Sequence, residues 1–457
     1  MSVTSTSTEK ISELDSKSDG WVYPWYVVFI CMLVYILSYV DRQILALLID
    51  PIRADLALTD TQFSLILGFA FSLFYATMGI PIAILSDRRS RPLIISVGIF
   101  VWSLATAGCG FARSFLHLFL MRMGVGIGEA SLSPAAYSMI ADLFPKEKLG
   151  RALSVYAMGS FIGGGLALTI GGIVITAISG WADIQIPLFG TIQEFRPWQL
   201  TFIVIGAPGV LVALIFFLTV KDPRRKNINK NAGLSDQEQK NNIIKPKDVL
   251  AYIRRNKRTV ASHFVGFSFA ALTLFGLMSW SPAFYMRKFG LSAEMAGLYL
   301  GIIMLIFNTL GTFSSGWLAD YFQRRGHSDA AMRAGMWGGV GLFLPVLLFP
   351  IVSDLYLSLV FMALASFFAS FPIAPSATAL QVMVPNRMRA QFSALFLFTS
   401  NIFGLGLGTT VIALITDNVF ADEQAVGYSI AIVCSLAALV QIVVLGCGLK
   451  YFRASVS

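Results

Sequence analysis

Charge is scarce in this chain. Asp, Glu, Lys and Arg make up 13% of its 457 residues and 56% are hydrophobic, whereas soluble domains carry about 25% charged residues. Histidine is scarcer still: His117, His263 and His327 stand apart, with no partner at metal-ligand spacing. Cys31, Cys109, Cys434 and Cys447 fall inside apolar runs without paired spacing, and read as small apolar fillers rather than a disulfide framework or metal site. Missing too are a nucleophile with a placed base and a phosphate-cradling P-loop. Neither an enzyme nor a metal or organic cofactor is expected.

What the chain has instead is apolar sequence in runs long enough to cross a hydrocarbon core, about 20 residues each. Runs start near Tyr23, Thr61, Pro92, Ser114, Leu149 and Gln199, and again near Val260, Ser292, Ala331, Leu355, Met388 and Gly427. Lipid cannot hydrogen-bond exposed backbone, and the runs exceed the alternating ten-residue segments of a barrel. The expected fold is therefore an all-α polytopic membrane protein with twelve spans. The polar tail 1–20 precedes a first run too long for a signal-peptide core, so that run is expected to stay as a helix.

Basic residues set the orientation. With both termini in the cytoplasm, 27 of the 34 Lys and Arg fall on that side and five outside, leaving Arg42 and Arg122 inside spans. The net charge of +9 then reflects topology, and no nucleic-acid partner is expected. The longest polar interruption, Lys221 to Arg258, holds twelve of the basic residues and separates a six-span half, 21–220, from a second, 259–457. Within this linker, 221–258, Val249, Leu250 and Ile253 share one helical face among basic residues. That pattern reads as a short amphipathic helix on the cytoplasmic membrane face, either a plain linker or a lipid sensor.

The halves repeat one another. Ala83-Ile-Leu-Ser-Asp87-Arg88-Arg89-Ser90-Arg91 and Gly316-Trp-Leu-Ala-Asp320-Tyr-Phe-Gln-Arg324 each follow the second span of their half; Pro145 to Arg151 and Pro385 to Arg389 each join the fourth and fifth. On these residues the chain resembles the major facilitator superfamily over essentially its whole length. The loop signature G-x-x-x-D-R-x-G-R is met at Asp87, Arg88 and Arg91, with Ala83 and Ser90 in place of its glycines. The fourth-span pattern R-x-x-x-G-x-G is met at Arg122, Gly126 and Gly128. Within the superfamily, Tyr39-Val40-Asp41-Arg42, Gly128-Glu129-Ala130 and Pro134 resemble the spinster-type branch, which includes exporters of sphingosine-1-phosphate and lysophospholipids and has bacterial members. The resemblance implies alternating access, a substrate site between the halves near the midplane, and a cytoplasmic gate motif at Asp87, Arg88 and Arg91, with Asp320 and Arg324 as its counterpart.

A charge inside a span costs roughly 2.5–3.5 kcal/mol on insertion scales, so it is kept where it faces protein or a water path. Asp41, Arg42, Arg122 and Glu129 are such charges. Counted from the span ends, Asp41 and Arg122 lie at similar depth and are expected to interact. Glu129, seven residues on, shares the Arg122 face about two turns deeper. With the arginines assigned to Asp41, Glu129 is the carboxylate expected to exchange a proton. Asp41 and Glu129 are thus candidates for proton coupling, and Arg42 and Arg122 for substrate binding or charge switching. A static buried network is the competing reading.

The second half has no deep charge. Its intramembrane polar residues are Asn308, Ser370, Ser376, Gln381 and Asn401, of which Asn308, Gln381 and Asn401 are candidate cavity groups. Phe367, Phe368, Phe371, Phe396 and Phe398 could form an apolar wall or merely pack. Gly163-Gly164-Gly165 and Gly171-Gly172 read as close helix packing or a bend. The expected function is proton-coupled transport of a lysophospholipid or related amphiphilic anion, by a monomer in a bacterial cytoplasmic membrane, with protons as coupling ion. A small organic anion symporter of the anion:cation type is the alternative, and a membrane sensor or passive lipid conduit the second.

Overall fold

The computed structural model describes residues 22–180, 184–188, 191–223, 246–385 and 388–456. The N-terminal tail and most of the linker lie outside them. The described residues contain twelve helices long and apolar enough to cross a membrane. The first six are Val22–Leu47, Asp60–Ser86, Arg91–Cys109, Phe115–Leu143, Lys148–Ser179 and Pro197–Thr219. The second six are Lys257–Phe289, Ala293–Arg324, Ala330–Leu348, Leu355–Met383, Gln391–Phe420 and Glu423–Val456. Each starts within four residues of its expected position. With an even number of spans, both ends of the chain and the linker share one side, here the terminal side; the loops after odd-numbered spans lie on the distal side.

Two spans are broken at equivalent places in the halves. The fourth runs as Phe115–Glu129 and resumes as Leu132–Leu143; the tenth runs as Leu355–Ala369 and resumes as Ile373–Met383. Pro134 and Pro375 have no N–H to give the carbonyls four residues back, Ala130 and Phe371, so the helix opens there. Glu129 consequently sits at a bend in its span.

The halves meet along two seams where backbones nearly touch. In one, the fifth span packs on the first part of the eighth: a methyl group on Gly297 would lie 2.3 Å from the Leu168 carbonyl oxygen, and one on Gly165 would lie 2.7 Å from that of Gly301. In the other, a methyl group on Gly68 of the second span would lie 2.2 Å from the Leu405 carbonyl oxygen of the eleventh. Small residues let membrane helices approach this closely. Wide π-helical turns sit at both seams, at Leu65–Phe69, Met304–Asn308 and Ile402–Leu407. Gly165 and Gly172 therefore serve packing between halves.

Two connecting segments have structure of their own. Between the fifth and sixth spans, Ile184–Leu188 (β1) and Thr191–Phe195 (β2) pair as an antiparallel hairpin. Phe195 anchors it, edge-on to Phe111 at 5.4 Å and packed with Ile178 and Leu200. In the linker, Pro246–Arg255 is helical, but Val249, Tyr252 and Ile253 pack against a cluster containing Met383, Val384 and Phe392, and the Tyr252 hydroxyl donates to the Met383 carbonyl. Val249 and Ile253 of the apolar face thus pack on the terminal side of the second half, while Leu250 stays exposed.

Gly297→Ala is expected to separate the fifth and eighth spans at an overpacking cost of about 1–3 kcal/mol, lowering the thermal unfolding midpoint in detergent. Gly79→Ala, where an added methyl meets nothing within 4 Å, is expected to be neutral or slightly stabilising.

Candidate functional site

The charged residues of the first and fourth spans converge inside the first half. Glu129 is 1% exposed. Its Oε2 accepts hydrogen bonds from Arg42 Nε and from the Ser38 hydroxyl, each at 2.6 Å, and lies 2.5 Å from Arg42 Nη2. Arg42 Nη2 also donates to Ser38 Oγ at 3.2 Å. Ser38 stands one helical turn before Arg42, so both reach the same carboxylate. Glu129 Oε1 has no protein partner.

Aromatic rings enclose the Arg42 guanidinium. Its central carbon lies 4.6 Å from the centroid of Phe71, 5.0 Å from Tyr75 and 5.1 Å from Tyr39. Each such contact contributes about 0.5–2 kcal/mol, more where water is excluded. The tyrosines continue outward: Tyr39 meets Tyr35 edge-on, Tyr35 stacks on Tyr156 at 5.0 Å, and Tyr156 meets the exposed Tyr137. A chain of ring contacts therefore extends from the ion pair toward the terminal side. The Arg42 side chain keeps 14% of its surface exposed.

The expected meeting of Asp41 and Arg122 is made by the main chain. Arg122, 1% exposed, donates from Nη1 to the Asp41 carbonyl at 3.2 Å, lies 5.5 Å from the Phe71 centroid and leaves Nε unpartnered. The ion pair of the cluster joins Arg42 to Glu129 instead. The assignment of the arginines to Asp41 is thus corrected: neighbours in sequence, Asp41 and Arg42 point to different sides of the first span, and the guanidinium reaches across to the fourth. Asp41 remains in the cluster, 5% exposed. Gly126 and Gly128 bring the fourth span onto the second and third; methyl groups there would lie 2.6 Å from the Phe71 carbonyl and 2.7 Å from that of Gly98.

The gate motif is described in part. The side chains of Asp87 and Arg88 lie outside the described residues. Arg91 is 1% exposed and binds Asp142 at 2.6 Å and Asp222 at 2.8 Å, with further bonds to Ser138 and the Pro223 carbonyl. These contacts tie together the terminal ends of the third, fourth and sixth spans within one half. Asp142 and Asp222 escaped the sequence reading although each is an acid at a span end. Asp320 and Arg324 are exposed.

The polar residues of the second half do not assemble into a cluster. Asn308 is buried with Oδ1 unpartnered, Asn401 donates to the Leu397 carbonyl at 2.8 Å, and Gln381 is exposed. Phe367, Phe368 and Phe371 meet one another edge-on or tilted, and Phe371 and Phe368 fill the space opposite Gly338 and Gly341. Phe396 packs with His263 and Phe264. These rings serve packing inside the second half; the aromatic lining near the ion pair belongs to the first.

Twelve spans in two repeated halves, with a charged cluster held inside one of them, define a membrane carrier. The chain belongs to the Major Facilitator Superfamily, whose sequence pattern matches residues 31–409. It is similar to the crystallised bacterial homolog of the human lysosomal transporter spinster in an inward-facing, occupied conformation, at 27% identity and TM-score 0.71, covering 95% of this chain and 97% of that one. An MFS-type efflux pump of Mycolicibacterium smegmatis is 28% identical, over 91% of this chain and 90% of the relative. A D-galactonate transporter of Escherichia coli is 28% identical, over 64% and 66%.

Removing one partner of a buried ion pair costs about 3–5 kcal/mol, while removing both is far milder. Arg42→Gln alone is therefore expected to lower thermal stability sharply, and Arg42→Gln with Glu129→Gln to recover most of the loss. A thermal-unfolding double-mutant cycle measures the difference.

Proposed function

We propose that this protein is a proton-coupled secondary transporter that moves a lysophospholipid or related amphiphilic anion across a bacterial cytoplasmic membrane by alternating access. The observation that carries this reading is the Arg42–Glu129 pair, with one glutamate oxygen unpartnered and the partly exposed arginine ringed by aromatic side chains. A proton on Glu129 removes the charge that holds Arg42. The freed guanidinium is then available to an anionic head group, while the tyrosine and phenylalanine rings accommodate apolar surface. Asp41, beside Arg122, is the second carboxylate of the relay. No group beyond the coupling proton is required, and the chain acts as a monomer. The similarity to a bacterial spinster homolog supports the spinster-type resemblance from which the amphiphile is inferred.

A second reading, a small organic anion symporter, is favoured by the similarity to a D-galactonate transporter. It draws further support from the second half, whose phenylalanines pack internally and leave no aromatic wall for a tail. In this reading Arg42 or Arg122 holds a carboxylate.

Purified protein in sealed liposomes decides between them. Labelled lysophospholipid is expected to move when a pH gradient is imposed, and Glu129→Gln to abolish the gradient dependence. Movement that ignores the gradient would instead indicate a passive conduit, and unchanged coupling in Glu129→Gln would remove that residue from the proton path. If lysophospholipid does not move, or if competition depends on the head group with no effect of tail length, the small-anion reading replaces the first.

A further inference from the structure

A group of cations at the terminal side of the second half takes no part in the Arg42–Glu129 site. Several other cations at span ends are matched by carboxylates. Arg91 binds Asp142 and Asp222, and Arg333 and Arg453 share Asp329. On the distal side, Arg287 meets Asp50 and Asp60, and Arg53 meets Asp60 and Glu423. Among the described residues, by contrast, Arg254, Lys257, Arg258 and Lys450 have no carboxylate partner, and all four are exposed. Two of them converge on one ring: the Arg258 guanidinium carbon lies 5.1 Å from the Tyr451 centroid, and Lys450 Nζ lies 4.9 Å from it. The two charges are therefore within about 10 Å of each other, a separation at which salt screens their repulsion only in part. The seventh and twelfth spans hold this arrangement in place. Thr259 Oγ1 donates to the Tyr451 carbonyl at 3.0 Å, and a methyl group on Gly448 would lie 2.6 Å from the Ser262 side chain.

Away from the cations the surface turns apolar. Ala261 and Val265, one and two turns into the seventh span from Arg258, are exposed, as are Cys447 and Val443, one and two turns before Lys450 and Tyr451 on the twelfth. By helical position both strips flank the seam that Thr259, Ser262 and Gly266 make with Tyr451, Gly448 and Leu445, on the side away from the ninth span, whose Gly335 meets Phe267 and Leu445. The linker helix Pro246–Arg255 repeats the pattern. Leu250 is exposed there with Lys247 and Arg254 one turn to either side on the same face. We propose that the open side of this seam binds an anionic phospholipid of the terminal-side leaflet, with its head group between Arg258 and Lys450 and its acyl chains along Ala261, Val265, Val443 and Cys447. Arg254 and Lys257 add to the local positive charge, and Leu250 enters the same leaflet. Basic pockets between spans at the membrane surface recognise anionic head groups in this way. The apolar strip decides for a lipid over free phosphate, since a soluble anion would use the cations alone. The bias of basic residues toward one side of a membrane explains their number but not their convergence on one ring above an exposed apolar strip.

The test needs neither substrate nor proton gradient. Cys447 is exposed and the other three cysteines are buried, so a thiol-reactive fluorophore on Cys447, with the protein in phosphatidylcholine nanodiscs, reports which lipids lie beside the seam. Brominated phosphatidylglycerol is expected to quench it at a mole fraction about tenfold lower than brominated phosphatidylcholine. Arg258→Gln and Lys450→Gln, both at exposed positions and so of little risk to folding, are each expected to narrow that preference about threefold and together to abolish it. The control is the corresponding end of the sixth span: with Cys447→Ala, the fluorophore moves to Leu218→Cys, an exposed position near Lys221, where no comparable preference is expected. Equal preference at the two positions would overturn the proposal, leaving only the general attraction of basic span ends for anionic lipid. No preference at Cys447, or one that survives in the double variant, would overturn it as well. Glycerol phosphate in large excess is expected to leave the quenching unchanged; displacement would assign the cations to a soluble anion and refute the lipid site. Native mass spectrometry of the unlabelled protein is expected to retain one phosphatidylglycerol that the double variant loses, and equal retention by both would count against the site.

Discussion

The desolvation of charge is the constraint on which the rest of this structure depends. A guanidinium and a carboxylate inside a low-dielectric protein persist only if each finds a partner with good geometry and its remaining hydrogen-bonding groups are met. The first half meets this demand with the Arg42–Glu129 pair, and much of its local architecture follows. The bend at Ala130 and Ser131 places Glu129 at the end of a helical segment, the glycines of the fourth span bring the second and third spans alongside, and Phe71, Tyr75 and Tyr39 close around the cation. Ser38 supplies an additional donor. One carboxylate oxygen and one guanidine nitrogen, Glu129 Oε1 and Arg122 Nε, are left over, and unmet buried groups of this kind are where a polar network departs from pure packing.

The fold was readable because membranes impose a one-dimensional rule. A span needs about 20 apolar residues and must satisfy its backbone internally, so apolar run length alone located twelve helices to within a few residues. The charged cluster was readable for the related reason that Asp41, Arg42, Arg122 and Glu129 are conspicuous where charge is expensive. Its pairing was not. Depth along a span can be counted from the sequence, but azimuth depends on how each helix is rotated against its neighbours. Asp41 and Arg42 differ by about 100° on the helix, which is enough to send one guanidinium toward Glu129 and leave Asp41 offering its main-chain carbonyl to Arg122. Tyr35, Tyr75 and Ser38 went unremarked, and Tyr39 was given no contact, because neither residue type stands out in an apolar run and their role exists only once Arg42 is placed among them.

The distal charges show the complementary blind spot. Arg53, Arg287, Asp50, Asp60 and Glu423 lie at span ends, where charge is ordinary and carries no signal. Their partners are up to 370 positions apart, so no spacing rule connects them. The phenylalanines of the tenth span mislead in the opposite direction: a dense aromatic run near polar residues resembles a cavity wall, yet the glycines of the ninth span offer the hollows that Phe368 and Phe371 fill. Aromatic composition gives the amount of apolar surface but not the side on which it is used.

Taken with the proposed function, the arrangement makes proton binding and anion binding depend on one another. A proton on Glu129 alone would leave Arg42 buried without a counter-charge, and the three surrounding rings offset only part of that cost, since each contributes a fraction of what the carboxylate provides. An anion arriving while Glu129 is ionised meets an arginine already neutralised. Each event is therefore favoured by the other, and by linkage the factor by which the proton raises anion affinity equals the factor by which the anion raises proton affinity. Coupling of this kind needs no wire between distant sites, because the same guanidinium is the partner in both states. It does require that the halves close the distal mouth while the exchange takes place on the terminal side.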